Sequence, residues 1–196
     1  MLNLYAFITY VFIVTFTPGP NNIMTMAHSS KYGLKKTLRF IFGVITGFFA
    51  IILFSSYFNL LLFDYIPKVK KYMSIIASIY MLYLAYKIIK SKPSSSENSS
   101  TELSYKSGIV LQFINAKFIM YAVTVTSTFI VPFYNENYQL VLFTILLTFI
   151  AFLSLISWGL LGSFFNKFLN KYYKPFNIFL AALLIYTAIS ISDLFL

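Results

Sequence analysis

Long apolar stretches separated by shorter polar ones divide the whole chain. Six of these stretches approach or exceed the about 20 apolar residues that a helix needs to cross the hydrocarbon core of a bilayer. They are Leu2–His28, Phe40–Phe63, Met73–Ile89, Gly108–Val131, Leu140–Phe165 and Phe176–Leu196. The pattern therefore predicts an all-α integral membrane protein with six transmembrane helices.

The polar segments between these stretches are short, except for Ser91–Tyr105. The centre of this segment, Ser94–Thr101, is too polar to pack and is typical of a flexible linker. We predict one membrane domain over 1–196, in which a cytoplasmic linker at 91–106 joins a three-helix half at 1–90 to another at 107–196. Because each half has an odd number of helices, the second half enters the membrane in the opposite sense, as in inverted-repeat transporters.

The composition agrees with this class and excludes several others. The chain is 59% hydrophobic and only 10% charged, with a mean hydropathy of +0.79. It has no Cys, which excludes disulfides, thiolate metal sites and cysteine nucleophiles. The net charge of +10 comes from lysines in short loops without an aromatic-basic motif, so we expect contact with the lipid bilayer and not with nucleic acid.

The distribution of positive charge predicts the orientation. Basic residues follow the first apolar stretch, surround the linker and follow the fifth stretch: Lys31, Lys35, Lys36, Arg39, Lys87, Lys90, Lys92, Lys106, Lys167, Lys171 and Lys174. The positive-inside rule then predicts that both termini lie on the outer, non-cytoplasmic side of the membrane. Lys68, Lys70 and Lys71 are the cluster that argues against this orientation.

The first apolar stretch is interrupted by Thr17, Pro18, Gly19, Pro20, Asn21 and Asn22. In lipid, a broken helix is tolerated where the freed backbone is buried in protein or lines a cavity. Thr17 is a suitable N-cap and Pro18 a suitable first residue for a half-helix that runs to about His28. Its free N–H groups would suit a carboxylate, with Asn21 and Asn22 adding side-chain donors and acceptors. The alternative is a proline kink that serves packing alone.

The fourth stretch contains a weaker interruption without proline, at Gln112–Lys117. Lys117 would cost about 2.5–3.5 kcal/mol at membrane depth, so it either binds a substrate carboxylate or extends its stem toward the headgroups. Asn115 would cap the half-helix that follows, as Thr17 does in the first interruption. From the helical rise, Thr17 lies about 16 Å and Asn115 about 10 Å from the cytoplasmic face, so both could line one cavity.

The remaining conspicuous residues are assigned to structure. Gly43 and Gly47 form a close-packing motif, and Trp158 is expected to pack within its helix. The chain has a single His, and no acid lies within an apolar stretch except near its ends, so no catalytic set is recognisable. We therefore expect no enzyme, no metal site and no cofactor.

These motifs resemble the lysine exporter (LysE) family of small six-segment bacterial amino-acid exporters. The segments that carry the resemblance are Phe16–Asn22, Ser30–Lys36, Gly43–Gly47, Ala77–Lys87 and Asn115–Lys117. The sequence departs from the family pattern at three places: Ala116 replaces a proline, Ser127–Phe129 replaces a Pro-Gln-Phe pattern, and Phe48 replaces an acid.

The resemblance implies a function and a site. It implies a transporter that exports amino acids or similar small zwitterions by alternating access of the two halves. Its substrate site would comprise Pro18, Gly19, Pro20, Asn21, Asn115 and Lys117, to which the half-helix interpretation adds Thr17 and Asn22. Neutral amino acids are favoured, because no segment interior offers an acid for a basic side chain.

Two other functions stay open at this point. The chain could be a divergent membrane module that binds a partner without transport, or a membrane enzyme. Small transporters often form homodimers, but no interface is recognisable in the sequence.

Overall fold

The computed structural model describes residues 3–90, 104–164 and 172–191, which are almost entirely helical and include no strand. The helices are α1 (Leu4–Phe16), α2 (Pro20–Tyr32), α3 (Leu34–Tyr57), α4 (Asn59–Lys90), α5 (Tyr105–Ile114), α6 (Ala116–Val125), α7 (Asn137–Phe164) and α8 (Tyr173–Ile191). A π-helical turn, Thr126–Ile130, continues α6. The prediction of an all-α chain is confirmed for the described ranges.

Two of these helices, α3 and α7, are long and apolar enough to cross a membrane, with 24 and 28 residues. The pair formed by α5 and α6 with its π turn would add a third span, although it is bent by 67°. Large apolar side chains are exposed along α7, as expected for a lipid-facing surface: Leu142, Ile145, Leu146, Phe149, Leu153, Leu160 and Leu161. The number of six spans stays a prediction.

The second and third apolar stretches are divided differently from the prediction. α3 ends at Tyr57, earlier than the expected Phe63, and α4 then runs without interruption over 32 residues, about 48 Å. The expected loop before Met73 is therefore wrong, and Pro67 does not end the helix. The loop is expected because the apolar stretches end at Phe63 and resume at Met73, and a proline within a helix is uncommon, since it lacks a backbone donor and crowds the preceding turn.

The predicted linker, 91–106, ends earlier in the structure than the sequence indicates. Tyr105 is the first residue of α5, so Tyr105 and Lys106 belong to a helix, and Ser104 caps it by accepting from the N–H of Ser107 at 3.1 Å. A serine at this position supplies the acceptor that the first turn needs. The rest of the linker, 91–103, lies outside the described residues, as do Met1, Leu2 and 165–171 and 192–196.

Close contact between α3 and α5 depends on glycine. A Cβ on Gly43 would lie 2.0 Å from the carbonyl oxygen of Tyr105, and a Cβ on Gly108 would lie 2.4 Å from that of Phe40. No side chain fits at either position unless the backbones move apart. The close-packing role predicted for Gly43 is therefore confirmed.

Two buried apolar clusters form the core. The first contains Phe7, Val11, Phe48, Ile51, Ile52, Phe118, Tyr121, Ala122, Val125, Ile130, Leu140, Leu147 and Ala151. The second contains Ile23, Phe40, Ile41, Val44, Leu84, Ala85, Ile88, Leu111, Leu155, Leu180, Ala181 and Leu184. The clusters share α3 and α7, which contribute different ends to each.

A polar layer separates the two clusters. Its buried members are Thr15, Asn21, Asn22, Gln112, Asn115 and Ser154. On α7, Ser154 follows Ala151 of the first cluster and directly precedes Leu155 of the second. On α3 the same level is marked by Gly47, between Val44 and Phe48. Both helix interruptions lie in this layer.

Candidate functional site

The first interruption is an extended segment of three residues between α1 and α2. Thr17 closes α1 and is not the predicted N-cap of the next helix, because its hydroxyl donates backward to the carbonyl of Val14 at 3.0 Å. Gly19, with φ −166° and ψ 174°, precedes Pro20, which is the first residue of α2. Pro20 suits that position, since the first helical N–H has no intrahelical acceptor. The half-helix therefore starts at Pro20 and not at Pro18.

Asn22 holds the two ends of this segment together. Its Nδ2 donates to the carbonyls of Thr15 and Thr17, both at 3.0 Å, and the side chain is only 2% exposed. These carbonyls belong to the last turn of α1 and its cap, where no intrahelical donor is available. Asn22 thus stabilises the interruption through its donors, while its Oδ1 has no hydrogen-bond partner.

Two side chains of α7 complete the hydrogen bonding of α1. Ser154 Oγ donates to the carbonyl of Thr15 at 3.0 Å, and Trp158 Nε1 donates to that of Phe16 at 3.2 Å. Trp158, which we expected only to pack, is a hydrogen-bond donor to the end of a broken helix. Neither residue shows this role in its local sequence, because its acceptor lies more than a hundred residues away.

The second interruption is a single residue, Asn115, between α5 and α6. With φ −77° and ψ 90°, it leaves the helical region, and the helices on either side are bent by 67°. Its carbonyl accepts from the N–H groups of Phe118 and Ile119 at 3.0 and 3.1 Å, so Asn115 occupies the predicted N-cap position of α6. Its side chain makes no capping hydrogen bond, so the predicted capping by the side chain is wrong. The break forms although Ala116 is not a proline. Because Ala116 is the first residue of α6, its backbone N–H needs no acceptor within the helix.

Three buried carboxamides link the two interruptions in series, and we call them the amide chain. Asn115 Nδ2 donates to Asn21 Oδ1 at 3.2 Å, and Asn21 Nδ2 donates to Gln112 Oε1 at 2.5 Å. All three side chains are at most 2% exposed. Gln112 Nε2 and Asn115 Oδ1, at the two ends of the chain, have no hydrogen-bond partner.

Lys117 makes a second link between the interruptions. Its Nζ donates to the carbonyl and the hydroxyl of Thr17 at 3.1 and 3.0 Å and to the carbonyl of Pro18 at 3.4 Å. A Cβ on Gly19 would lie 3.1 Å from this nitrogen, so the absence of a side chain at Gly19 leaves room for the Lys117 ammonium. The ammonium lies at the C-terminal end of α1, where the helix dipole favours a cation. The stem is thus directed to the end of α1, and binding of a substrate carboxylate by Lys117 stays a prediction.

Three polar atoms in and beside these links are buried without a partner. They are Asn22 Oδ1, Gln112 Nε2 and Asn115 Oδ1. Buried polar groups are normally paired with protein, water or a ligand, so a concentration of unpaired ones is informative. The set contains both donors and acceptors, which is the chemistry that a small zwitterion requires.

Charged groups are scarce around this layer. Among the side chains that the structure describes, the only carboxylate is that of Glu136, which is exposed. Lys117 is half-buried and is the one cation described as contacting either interruption. In the described ranges, no three His, Asp or Glu residues lie close enough to hold a metal ion.

The eight residues predicted from the sequence lie in or beside the polar layer. Lys117 contacts Thr17, Pro18 and Gly19, and Asn115 forms a hydrogen bond with Asn21. Asn22 connects α2 to the end of α1, and Pro20 is the first residue of α2. The sequence did not indicate a site role for Thr15, Gln112 or Ser154, and it indicated only packing for Trp158. Only Gln112, an amide in an apolar stretch, gave a local signal. That these residues bind substrate stays a prediction.

Comparison with known proteins gives one family. The family described as "LysE type translocator" matches residues 12–192. A cysteine/O-acetylserine efflux protein of Klebsiella pneumoniae is 34% identical over 186 residues, which are 95% of each chain. A protein of the same name in Escherichia coli K12 is 33% identical over 190 residues, or 96% of each chain. No solved structure matches.

Proposed function

This chain belongs to the LysE type translocator family and is a transporter, not an enzyme, and from that premise we propose that it exports small neutral amino acids across the cytoplasmic membrane. Cysteine and O-acetylserine are the first candidates, because two relatives that match almost the whole chain carry these names. The proposal assigns the polar layer as the substrate site.

The observation that carries the proposal is the concentration of unpaired buried polar atoms at two helix starts. The backbone N–H groups of Asn21 and Asn22 lie in the first turn of α2 and have no intrahelical acceptor. Helix starts favour anions through their dipole, which suits the carboxylate of an amino acid. The unpaired oxygens of Asn22 and Asn115 suit its ammonium group.

The preference for neutral side chains follows from the charges of the site. A basic amino acid would bring a second positive charge to a layer that already contains Lys117. Since no described carboxylate lies near, that charge would be buried without compensation, which is strongly unfavourable. An acidic amino acid would require a second anion site in addition to the helix starts.

Alternating access can use the contacts between the two halves. Lys117 and Asn115 belong to the second half, and their partners Thr17, Pro18 and Asn21 belong to the first. A substrate carboxylate that attracts the Lys117 ammonium competes with these contacts. Binding would then weaken the attachment of α6 to the end of α1 and permit the halves to rock.

Efflux from proteoliposomes tests the proposal. We expect labelled cysteine, O-acetylserine and serine to leave loaded vesicles faster than labelled lysine, with and without an imposed proton gradient. Asn21→Ala should abolish this efflux, whereas Asn137→Ala, at the exposed start of α7, should not change it. If folded wild-type protein exports none of these amino acids, the proposed function is wrong.

The orientation, with both termini outside, can be tested because the chain has no native Cys. Single cysteines at Asn3 and Lys106, both exposed, report on opposite faces. We expect a membrane-impermeant maleimide to label the first and not the second in intact cells. The reverse pattern would contradict the orientation.

A further inference from the structure

Gln112 has a donor that the fold leaves without an acceptor. Its side chain is 0% exposed, and its Oε1 accepts from Asn21, yet its Nε2 has no partner. An unpaired buried amide is costly, because the group has lost its hydrogen bonds to water and gained none in return. A ligand that brings an acceptor would remove that cost.

The position of Gln112 indicates which acceptor this is. Its hydrogen-bond partner Asn21 is the second residue of α2, so the Gln112 amide lies beside a helix start that favours anions. Gln112 also lies close to Gly47, where a Cβ would be 3.0 Å from Gln112 Cβ and 3.3 Å from its Cγ. Gly47 therefore leaves space for the side chain to lie against the helix start.

We propose that Gln112 is a further substrate contact, whose Nε2 donates to the carboxylate of the amino acid and makes a free carboxylate a requirement for export. The inference rests on the proposed function and deepens it. Gln112 shares this task with the backbone N–H groups of α2, and Gly47 acts as a positioning residue.

The test compares ligands that differ only in the carboxylate. Unlabelled cysteine and its carboxylate-free analogue cysteamine compete against counterflow of labelled cysteine into proteoliposomes. In Gln112→Met, we expect the preference for cysteine over cysteamine to fall by about 10- to 100-fold, as for the loss of a hydrogen bond to a charged group. The chain has no Cys, so disulfide exchange with the ligands cannot interfere.

Further variants separate a substrate contact from a structural role. Gln112→Glu keeps an oxygen for Asn21 but replaces the donor, so it should lose the preference as Gln112→Met does. Gly47→Ala should reduce the preference by a smaller factor, because it displaces the side chain by a few tenths of an ångström. Gln139→Glu, at the start of α7, is the matched control and should behave as wild type.

The outcomes are distinguishable from failure of the proposed function. If wild-type protein shows no counterflow of any amino acid, the proposed function is wrong. If wild-type protein transports cysteine and Gln112→Met retains its preference over cysteamine within about twofold, only the role of Gln112 is wrong. An equal loss of affinity for both ligands would also contradict it, since that result indicates a structural role.

Discussion

The two helix interruptions meet in one polar layer, but they are stabilised in different ways. The first spans Thr17–Gly19 and is followed by a proline, and donors from α2, α6 and α7 bind the carbonyls that it frees. The second is the single residue Asn115, with an alanine after it. Its side chain is directed to Asn21 at the start of α2, and the side chain of Lys117 is directed to the first interruption.

The local sequence is sufficient to explain the first interruption, whereas the second depends on contacts with the first half of the molecule. Prolines and a glycine end α1 whatever surrounds them, and distant donors then satisfy the backbone. In the second interruption, an ordinary helical sequence is bent where two side chains form hydrogen bonds to the other half of the molecule. Changes in Lys117 should therefore affect the relation between the halves more than the stability of either.

Lys117→Met should have the largest effect, a fall in export of at least about 100-fold. The variant removes a donor to Thr17 and Pro18 together with the charge that a substrate carboxylate would attract; hydrogen bonds to a charged group contribute about 1.5–3 kcal/mol each. Lys117→Arg should recover only part of the activity, since a Cβ on Gly19 would already lie 3.1 Å from Nζ. Efflux of labelled cysteine from proteoliposomes measures both.

Lys106→Met is the matched control for this prediction. Lys106 is exposed in the first turn of α5, so its loss should change export by less than about twofold. A Lys117→Met protein that exports cysteine at the rate of this control would show that the link between the interruptions is dispensable.

The sequence predicted the position of the first interruption better than it predicted where the neighbouring helices begin and end. Pro18, Gly19 and Pro20 mark the break directly, but Thr17 suits both ends of a helix, so the sequence predicts the start of α2 two residues early. Which role Thr17 takes depends on its hydroxyl, which reaches back to α1. The expected loop before Met73 is an error in the opposite sense, since α4 continues through that segment.

The second interruption and its contacts were only partly predictable. Asn115 and Lys117 were recognisable because amides and cations are rare in apolar stretches. Their actual partners are set by how α6 packs against the end of α1, which no local pattern contains. The same applies to Trp158, because its acceptor is a backbone carbonyl and every residue has one.

Trp158→Phe should have the second largest effect, which is a loss of stability against thermal unfolding. The variant leaves the partly buried carbonyl of Phe16 without its donor, which costs about 0.5–1.5 kcal/mol, the usual net contribution of a hydrogen bond. Ser154→Ala should cost about 0.5–1 kcal/mol, because the carbonyl of Thr15 keeps its bond to Asn22. Thermal unfolding in detergent measures both, at about 2–4 °C per kcal/mol for a chain of this size.

Ser157→Ala is the control for these two variants. Ser157 is exposed, and its hydroxyl donates within α7 to the carbonyl of Leu153, so its loss should shift the midpoint by no more than about 1 °C. If Trp158→Phe unfolds at the same temperature as this control, α7 does not stabilise the first interruption in the way we infer.

Ala116→Pro should have the smallest effect and is the most direct comparison of the two interruptions. Ala116 and Pro20 are both the first residue of a helix, where a proline loses no helical hydrogen bond. We expect Ala116→Pro to stabilise the protein by about 0.4–1 kcal/mol, through lower entropy of the unfolded chain, and Pro20→Ala to destabilise it by a similar amount. Export should stay within about twofold of wild type in Ala116→Pro.

A proline within α6 provides the contrast that this prediction needs. Ala122→Pro lies six residues further along and should cost about 3 kcal/mol or more, since it removes a helical hydrogen bond and crowds the preceding turn. If Ala116→Pro is as damaging as Ala122→Pro, then α6 does not start at Ala116. If Ala116→Pro and Pro20→Ala shift the midpoint equally and in opposite directions, proline contributes the same rigidity at both places. The difference between the interruptions then lies in the side-chain donors, and those are the groups whose rearrangement a bound amino acid could drive.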